Sequence, residues 1–501
     1  MPSSLLIRAD ASARIGTGHV MRCLALAQEF QRTVGRVLFV QAETTSAIER
    51  RLRAEGFVIA SLDVTPGSTE DARATVRLAR EQDVTWIVAD GYHFDAEYQR
   101  HLKENELRLL LIDDYGHAEH YWAHYVLNQN LSADPMLYKN REPYTRLLFG
   151  TKYVLLRQEF DRWRNWEREI PTVAHKVLVT LGGADPDNAT SKIMEALLQI
   201  RDEQLECVVV IGGSNPHLEK LKAAICHLPS AIRLVVDATN MPELMAWADV
   251  AIAAGGTTSW ELAFIGLPSV AIVLADNQAA IAASLEREGV SVNLGASTNV
   301  TIDRIADAVQ SLLNDPDRRR QMSRSGRSLV DGLGVCRVIT RMQAARLTLR
   351  RAGKEDCQLI WEWANDPEAR AVSFSPDPIP WESHMRWYAG KADDPNCFFY
   401  VAANGSGHPL GQIRFERTGR EAIVSVSLAP SARGKGIGSA LIVRGAEQFF
   451  AESNADLVRA FIKMDNLASA RAFEKADFKD AGVMNVRGQE AKHFVLARAT
   501  V

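Results

Sequence analysis

Short apolar runs alternate with amphipathic stretches along the first part of the chain. Leu5–Arg8, Arg36–Gln41, Val58–Leu62, Trp86–Asp90 and Arg108–Asp113 read as strands. Val20–Phe30, Thr45–Glu55, Glu70–Glu81 and Ala96–Glu104 read as the helices between them. Apolar strands separated by helices predict a parallel sheet covered on both faces. A second series of the same kind begins near Lys176. Its strands are Lys176–Leu181, Cys207–Ile211, Arg233–Val236, Val250–Ala253 and Ser269–Leu274. Its helices begin near Asn188 and cover Met241–Trp247 and Ser259–Ile265. Charges and a proline at Arg164–Val173 interrupt the pattern and mark the join. Two doubly wound, Rossmann-like lobes in tandem are therefore expected.

The pattern changes after about Gly334. Leu347–Arg350 is a predicted strand, followed by helices at Asp356–Asn365 and Trp381–Ala389. Phe398–Ala402, Pro409–Glu416 and Ala422–Leu428 then read as a meander. A helix from Ile437 to about Ala451, a strand at Leu457–Ile462, a helix at Leu467–Lys475 and a strand at Lys492–Ala497 complete a mixed α/β unit. The fold class is α/β throughout, and the predicted domains are 1–170, 171–343 and 344–501.

Composition adds exclusions rather than a function. The 501 residues suit about three domains. A hydrophobic fraction of 47% with 24% charged residues is ordinary for a globular protein. The net charge of −4 gives no footprint for a nucleic-acid partner. The six cysteines, Cys23, Cys207, Cys226, Cys336, Cys357 and Cys397, form no C-x-x-C pair and read as scattered reduced thiols. Met1–Asp10 lacks the make-up of a signal peptide, and no apolar run is long enough to cross a membrane. A cytoplasmic enzyme without a membrane partner is the expectation.

In the last third, the strand Ala422–Leu428 runs into Arg433-Gly434-Lys435-Gly436-Ile437-Gly438, which opens a helix. Such glycines let backbone approach a phosphate, and the helix N-terminus binds its charge. Further on, Asn466, Ser469, Phe473, Lys475 and Phe478 follow a strand and span a second helix. Together the two stretches resemble the GNAT acetyltransferase family over roughly Arg346–Val501. The resemblance implies direct attack of an amine on acetyl-CoA, with Leu428, the 433–438 loop, Asn466, Ser469 and Phe473 as the cosubstrate-binding positions. Backbone N–H near Leu428 is then the donor to the thioester oxygen. In the family the leaving thiolate is often protonated by a tyrosine, but Phe473 occupies that place here; water or Tyr388 are the alternatives. Trp361–Glu368 looks like the acceptor-side helix of members that modify nucleotide-linked aminosugars or ribosomal protein ends, although an amphipathic helix with core tryptophans explains it equally.

In the first lobe, Arg8-Ala9-Asp10 ends a strand and Gly16-Thr17-Gly18-His19 opens a helix, which puts His19 where a neutral imidazole takes a proton from water. In the second, Gly255-Gly256-Thr257-Thr258-Ser259-Trp260-Glu261 opens a helix suited to a diphosphate, with Glu261 as an acceptor for ribose hydroxyls. These runs, with Leu181-Gly182-Gly183-Ala184-Asp185 and Asn277-Gln278, resemble the UDP-2,4-diacetamido-2,4,6-trideoxy-β-L-altropyranose hydrolases of pseudaminic acid biosynthesis, which have the GT-B shape. The resemblance covers about residues 4–335. It implies that His19 activates water at the anomeric carbon, that UDP leaves with inversion, and that no metal is required. Gly16, Gly18, Gly182, Gly183, Gly255, Gly256, Thr257, Thr258, Glu261 and Gln278 are the implied UDP-sugar contacts, with Asp10, Tyr92 and Asn277 as weaker candidates for holding the sugar.

The same pathway acetylates the 4-amino group of the UDP-linked altrosamine just before UDP is removed, so the two resemblances reinforce each other. Alternatives remain at this level: a glycosyltransferase that uses an acceptor hydroxyl, a lobe pair that only binds UDP-sugar, or a protein N-terminus as the acetyl acceptor.

Overall fold

A computed structural model of the chain describes residues 3–12, 15–183, 185–213, 215–225 and 232–498. Ala184 and Cys226, together with the chain's first and last residues, lie outside the described residues. The chain divides into two compact units, Met1–Val335 and Cys336–Val501.

The first unit holds two parallel sheets. One contains β1 (Ser3–Ala9), β2 (Gly35–Gln41), β3 (Val58–Ser61), β4 (Val84–Asp90), β5 (Leu109–Ile112), β6 (Tyr125–Asn128) and β7 (Arg146–Phe149), in the order β3-β2-β1-β4-β5-β6-β7. The other contains β8 (Lys176–Thr180), β9 (Glu206–Ile211), β10 (Ile232–Val236), β11 (Val250–Ala254), β12 (Ser269–Val273) and β13 (Ser291–Ala296), in the order β10-β9-β8-β11-β12-β13. Both are the doubly wound, Rossmann-like lobes of a GT-B-type fold. Strand β11 is buried at every position, as a strand covered by helices on both faces must be.

Each strand order has one reversal. In the first sheet the chain winds outward from β1 and then returns to place β4 on its other side; in the second, β8 and β11 play the same parts. The crevice beyond the strand C-termini at such a reversal is where open α/β sheets bind ligands. The glycine-rich turns after β1, β8 and β11 all lie there.

The second unit is a seven-stranded sheet of β14 (Thr348–Arg351), β15 (Cys397–Ala403), β16 (Pro409–Thr418), β17 (Glu421–Leu428), β18 (Leu457–Lys463), β19 (Lys479–Val486) and β20 (Gln489–Ala497). Its order is β14-β15-β16-β17-β18-β20-β19, antiparallel except where β17 runs parallel to β18. The helix Ile437–Glu452 covers one face, with Leu441, Ala446 and Phe449 packed against Ile413 and Phe415.

The structure adds elements the sequence pattern did not signal. Strands β6 and β7 have four residues each, too few to show a period. Strand β19 is exposed along almost its whole length, so it carries no apolar alternation. The helices Asp276–Arg287, Ile302–Asn314, Pro316–Leu329 and Gly334–Ala344 close the second lobe and lead into the second unit. No described helix is long and apolar enough to cross a membrane, and no disulfide links the described cysteines.

Candidate functional site

The first site lies at the reversal between β1 and β4. Gly16 turns the chain with φ +82° into the helix Gly18–Thr33, whose first turn carries His19. Asp90 is the last residue of the neighbouring β4. Its Oδ1 lies 2.6 Å from His19 Nδ1. Arg22, one turn beyond His19, donates to the same carboxylate from Nε at 2.6 Å and Nη2 at 2.7 Å. Burial alone would raise the Asp90 carboxyl, but Arg22 and His19 outweigh it and hold it well below the usual carboxylate range. An ionised Asp90 accepts from Nδ1–H and so leaves Nε2 as the basic ring nitrogen.

The network continues outward. Arg22 Nη1 donates to both oxygens of Asp114, at 3.0 and 2.8 Å. Asp114 also accepts from Tyr92 Oη at 2.9 Å and from Asn130 Nδ2 at 2.9 Å. Burial, and then the Asp114 charge, push the Tyr92 phenol upward, so it stays protonated and donates. Tyr92 Oη in turn accepts from Asn277 Nδ2 of the second lobe at 3.2 Å. Asp90, Arg22, Asp114 and Asn130 were missed by sequence reasoning. Asp90 had one legible signal, its place at the C-terminal end of a central strand.

The glycine turns come together. A Cβ on Gly18 would lie 3.6 Å from Thr257 Oγ1, and one on Gly183 only 2.3 Å from Thr17 Oγ1. Gly182 has φ +86°, and Asp185 after it caps the helix Ala189–Leu197 through Ala189 N at 2.8 Å and Thr190 N at 3.0 Å. A Cβ on Gly255 would lie 3.2 Å from both Ala282 Cβ and the Gln278 carbonyl, and one on Gly256 would lie 3.8 Å from Gln278 Nε2. Gln278 Oε1 accepts from Leu274 N at 2.9 Å, so this side chain ties the turn after β12. Thr257 and Thr258 open the helix Thr258–Ile265 with no side-chain cap on its first N–H groups. The starts of the helices Gly18–Thr33 and Thr258–Ile265 thus meet across the lobes.

One expectation for the first site is corrected. The Asp10 carboxylate is wholly buried and does not face a sugar: it takes Arg8 Nη1 at 2.6 Å and the backbone N–H of Ala42 and Glu43 at 2.7 and 3.0 Å. It is a clasp between β1 and the loop after β2. Glu261, in the first turn of the helix Thr258–Ile265, pairs through Oε1 with Arg157 Nη2 at 2.9 Å.

The second site lies in the second unit, where β17 and β18 part. Their ladder covers only Glu421–Ile423 against Leu457–Arg459, although β17 continues to Leu428 and β18 to Lys463. Ala429 N donates to Leu410 O at 2.9 Å, which fixes the alternation on the β16 side. By that alternation Val426 and Leu428 point their N–H groups toward the opening. Gly434 and Gly436, each with φ +73°, bring the loop onto the start of the helix Ile437–Glu452. A Cβ on Gly436 would lie 2.7 Å from Gln343 Oε1, and Gln343 Nε2 holds the Lys435 carbonyl at 3.1 Å. Gly438 faces Leu428 and Ala472. An opened ladder beside a glycine-lined helix N-terminus fits an extended ligand carrying a diphosphate.

The structure redistributes the other GNAT-like positions. The Arg433 guanidinium pairs with Asp366 at 2.5 Å and Glu368 at 3.0 Å and donates to the Leu428 carbonyl at 3.3 Å. Lys435 Nζ caps the Ser431 carbonyl at 2.7 Å. Asn466 Oδ1 accepts from Ser469 N at 3.1 Å, so the two form a helix cap. Phe473 is a core side chain against Phe478 and Phe494, so it offers no face to a cosubstrate. Tyr388 is buried and donates to the Gly353 carbonyl at 2.6 Å, and burial pushes its phenol upward; the alternative of Tyr388 as thiolate acid is not met. Trp363 is buried, and Trp361 Nε1 donates to Ile379 O at 2.7 Å.

With that geometry in view, the class can be stated. Residues 346–479 match the acetyltransferase (GNAT) domain family, and residues 177–332 match the glycosyltransferase family 28 C-terminal domain. The chain therefore joins GT-B-like lobes to a GNAT acetyltransferase domain, and the GNAT match supports acetyl-CoA as cosubstrate. Among named proteins, it is 25% identical over 290 residues to the UDP-2,4-diacetamido-2,4,6-trideoxy-beta-L-altropyranose hydrolase of Campylobacter jejuni, covering 58% of this chain and 98% of that protein. It is 24% identical to the spore coat polysaccharide biosynthesis protein SpsG of Bacillus subtilis, covering 67% of this chain and 97% of that one. An uncharacterized protein of Methanocaldococcus jannaschii is 22% identical over 82% of both chains.

Proposed function

We propose that the chain is a bifunctional enzyme of pseudaminic acid biosynthesis. Its GNAT domain acetylates UDP-4-amino-4,6-dideoxy-N-acetyl-β-L-altrosamine, and its lobe pair then removes UDP. The proposed domains are 1–170, 171–343 and 344–501. The observation that carries the reading is the His19–Asp90 pair, set at the ligand crevice where two helix N-termini meet.

In the lobe pair, His19 Nε2 takes a proton from water as the water oxygen bonds to the anomeric carbon. The anomeric C–O bond breaks with its electrons going to UDP, which gives 2,4-diacetamido-2,4,6-trideoxy-L-altropyranose. Asp90 keeps Nε2 basic and stabilises the imidazolium that forms. The helix starts at Gly18 and Thr258 receive the diphosphate charge. One water and no covalent intermediate give inversion. This account of charge at the diphosphate requires no metal. In the GNAT domain, acetyl-CoA supplies the acetyl group to the sugar amine. The amine nitrogen bonds to the acetyl carbon and gives up a proton to solvent, Leu428 N–H donates to the thioester oxygen as charge builds there, and the C–S bond breaks to a thiolate that takes its proton from solvent, since Phe473 has none and Tyr388 is committed.

The test is incubation of the purified chain with the UDP-4-amino sugar, with and without acetyl-CoA, followed by mass spectrometry and proton NMR. Acetylation followed by free sugar and UDP, without any acceptor, is expected. Accumulation of acetylated UDP-sugar refutes the hydrolase assignment and favours a transferase or a binding lobe pair.

A further inference from the structure

Beyond Ile112 the chain makes a tight turn that no part of the hydrolysis scheme uses. The Asp113 carboxylate fixes it, accepting from the backbone N–H of Tyr115 and Gly116 at 3.0 Å each, of His117 at 3.2 Å, and from Tyr121 Oη at 2.6 Å. The Asp113 carbonyl accepts from Tyr138 Oη at 2.9 Å. Gly116 has φ +78°, and a Cβ there would lie 2.8 Å from both Leu137 Cβ and Leu137 O. The turn therefore lies directly on the 3-10 segment Pro135–Tyr138, and only glycine permits that approach.

Below this contact everything is buried and hydrogen-bonded. Above it stand large apolar side chains in water: Tyr115 is 44% exposed, Met136 66% and Leu137 44%. Exposed apolar side chains carry meaning when they border a ligand crevice. Its position says what it recognises. The Tyr115 ring lies 4.7 Å from that of Tyr92, and Tyr92 stands edge-on to His19 at 5.1 Å. Tyr115 is thus one ring away from the base proposed to face the sugar.

We propose that Tyr115, backed by Met136 and Leu137, is the sugar-selecting lip of the His19 site. It packs against an apolar substituent of the hexose that N-acetylglucosamine lacks, the C6 methyl of a 6-deoxy sugar or the methyl of an N-acyl group at C4. A hydroxyl held against the ring face and alkyl surface loses part of its hydration. The exposed ring of Tyr115 and the exposed side chains of Met136 and Leu137 offer such a methyl a dispersion contact. The proposal rests on the reading of the His19 crevice as a UDP-sugar site. One buried methyl in an apolar pocket changes selectivity by about 10- to 200-fold, and a half-open lip belongs at the low end.

The experiment measures UDP release by the full chain from UDP-2,4-diacetamido-2,4,6-trideoxy-β-L-altropyranose and from UDP-N-acetylglucosamine, which keeps its ring hydroxyls. Tyr115→Ala is expected to lower kcat/KM for the first by about 10-fold, mainly through KM, and to leave the second unchanged. Tyr115→Phe should keep the preference, and Met136→Ala should reduce it in the same direction by less. Equal losses for both nucleotide sugars, or no loss, overturn the proposal. Calorimetric binding of the same two compounds to His19→Ala, with and without Tyr115→Ala, separates the lip from the chemistry. If the wild-type chain releases no UDP, a selective loss of affinity in that comparison still supports the lip, and unchanged affinities or no binding overturn it.

Discussion

The two candidate sites are made of opposite materials. In the lobe pair, the proposed chemistry rests on ionised side chains that are almost completely buried: Asp90, Arg22 and Asp114 around His19. In the GNAT domain it rests on main chain, namely an opened ladder and two glycines at positive φ. The difference follows from the tasks. Drawing a proton from water needs a base held in one tautomer, and buried charges do that only when each is paired. Receiving a thioester oxygen and a diphosphate needs N–H groups in fixed directions, and backbone supplies those without side chains. The first site should therefore be sensitive to charge and pH, and the second to backbone conformation.

Substitutions can break that contrast. The largest effect is expected from His19→Ala, which should slow UDP release by about 100- to 10,000-fold, the usual worth of a positioned general base. Acetylation, followed with acetyl-CoA in the same preparation, should not change. Asp90→Asn comes next. Losing a charge-assisted bond to the histidine costs about 1.5–3 kcal/mol, or roughly 10- to 150-fold in UDP release. Its pH–rate profile should shift, which a merely structural defect does not produce. Gly436→Ala is the converse probe. A left-handed position strains a side chain by about 1–2 kcal/mol, so the KM for acetyl-CoA should rise roughly 5- to 30-fold while UDP release is untouched.

The smallest effect concerns acid stability. Asp90 and Asp10 are held below the usual carboxylate range despite burial, Asp90 by Arg22 and His19, Asp10 by His93 and Arg8. The unfolded chain therefore binds protons first as pH falls. The stabilisation is complete above about pH 4, the ordinary carboxylate value, and is lost as pH drops through the lower folded-state values. Thermal unfolding followed from neutral pH to about pH 3 should show a falling midpoint for the wild type and a flatter fall for Asp90→Asn. Parallel curves contradict the assignment.

Much of the fold was legible because long helices and buried strands carry strong periods. Ala96–Glu104, Met241–Trp247 and Leu467–Lys475 fall where the pattern puts them. Four-residue β6 and β7 and the exposed β19 have no period to read. For the sites, sequence motifs located the glycine turns and His19, because those depend on local spacing. They did not locate Asp90, Asp114 or Asn130, which reach His19 and Arg22 only through the strand order. Nor did they show that Asp10, Arg433, Phe473 and Tyr388 are committed elsewhere. A motif names a residue type at a position, whereas its partner is set by tertiary packing.

The most direct test of the central claim is to run UDP release in heavy-oxygen water with no acceptor present and to find the label by mass spectrometry. Attack of His19-activated water at the anomeric carbon puts the heavy oxygen in the free sugar and none in UDP, with the inverted anomer seen first by NMR. Label in UDP, or no release until an acceptor is added, would contradict the account.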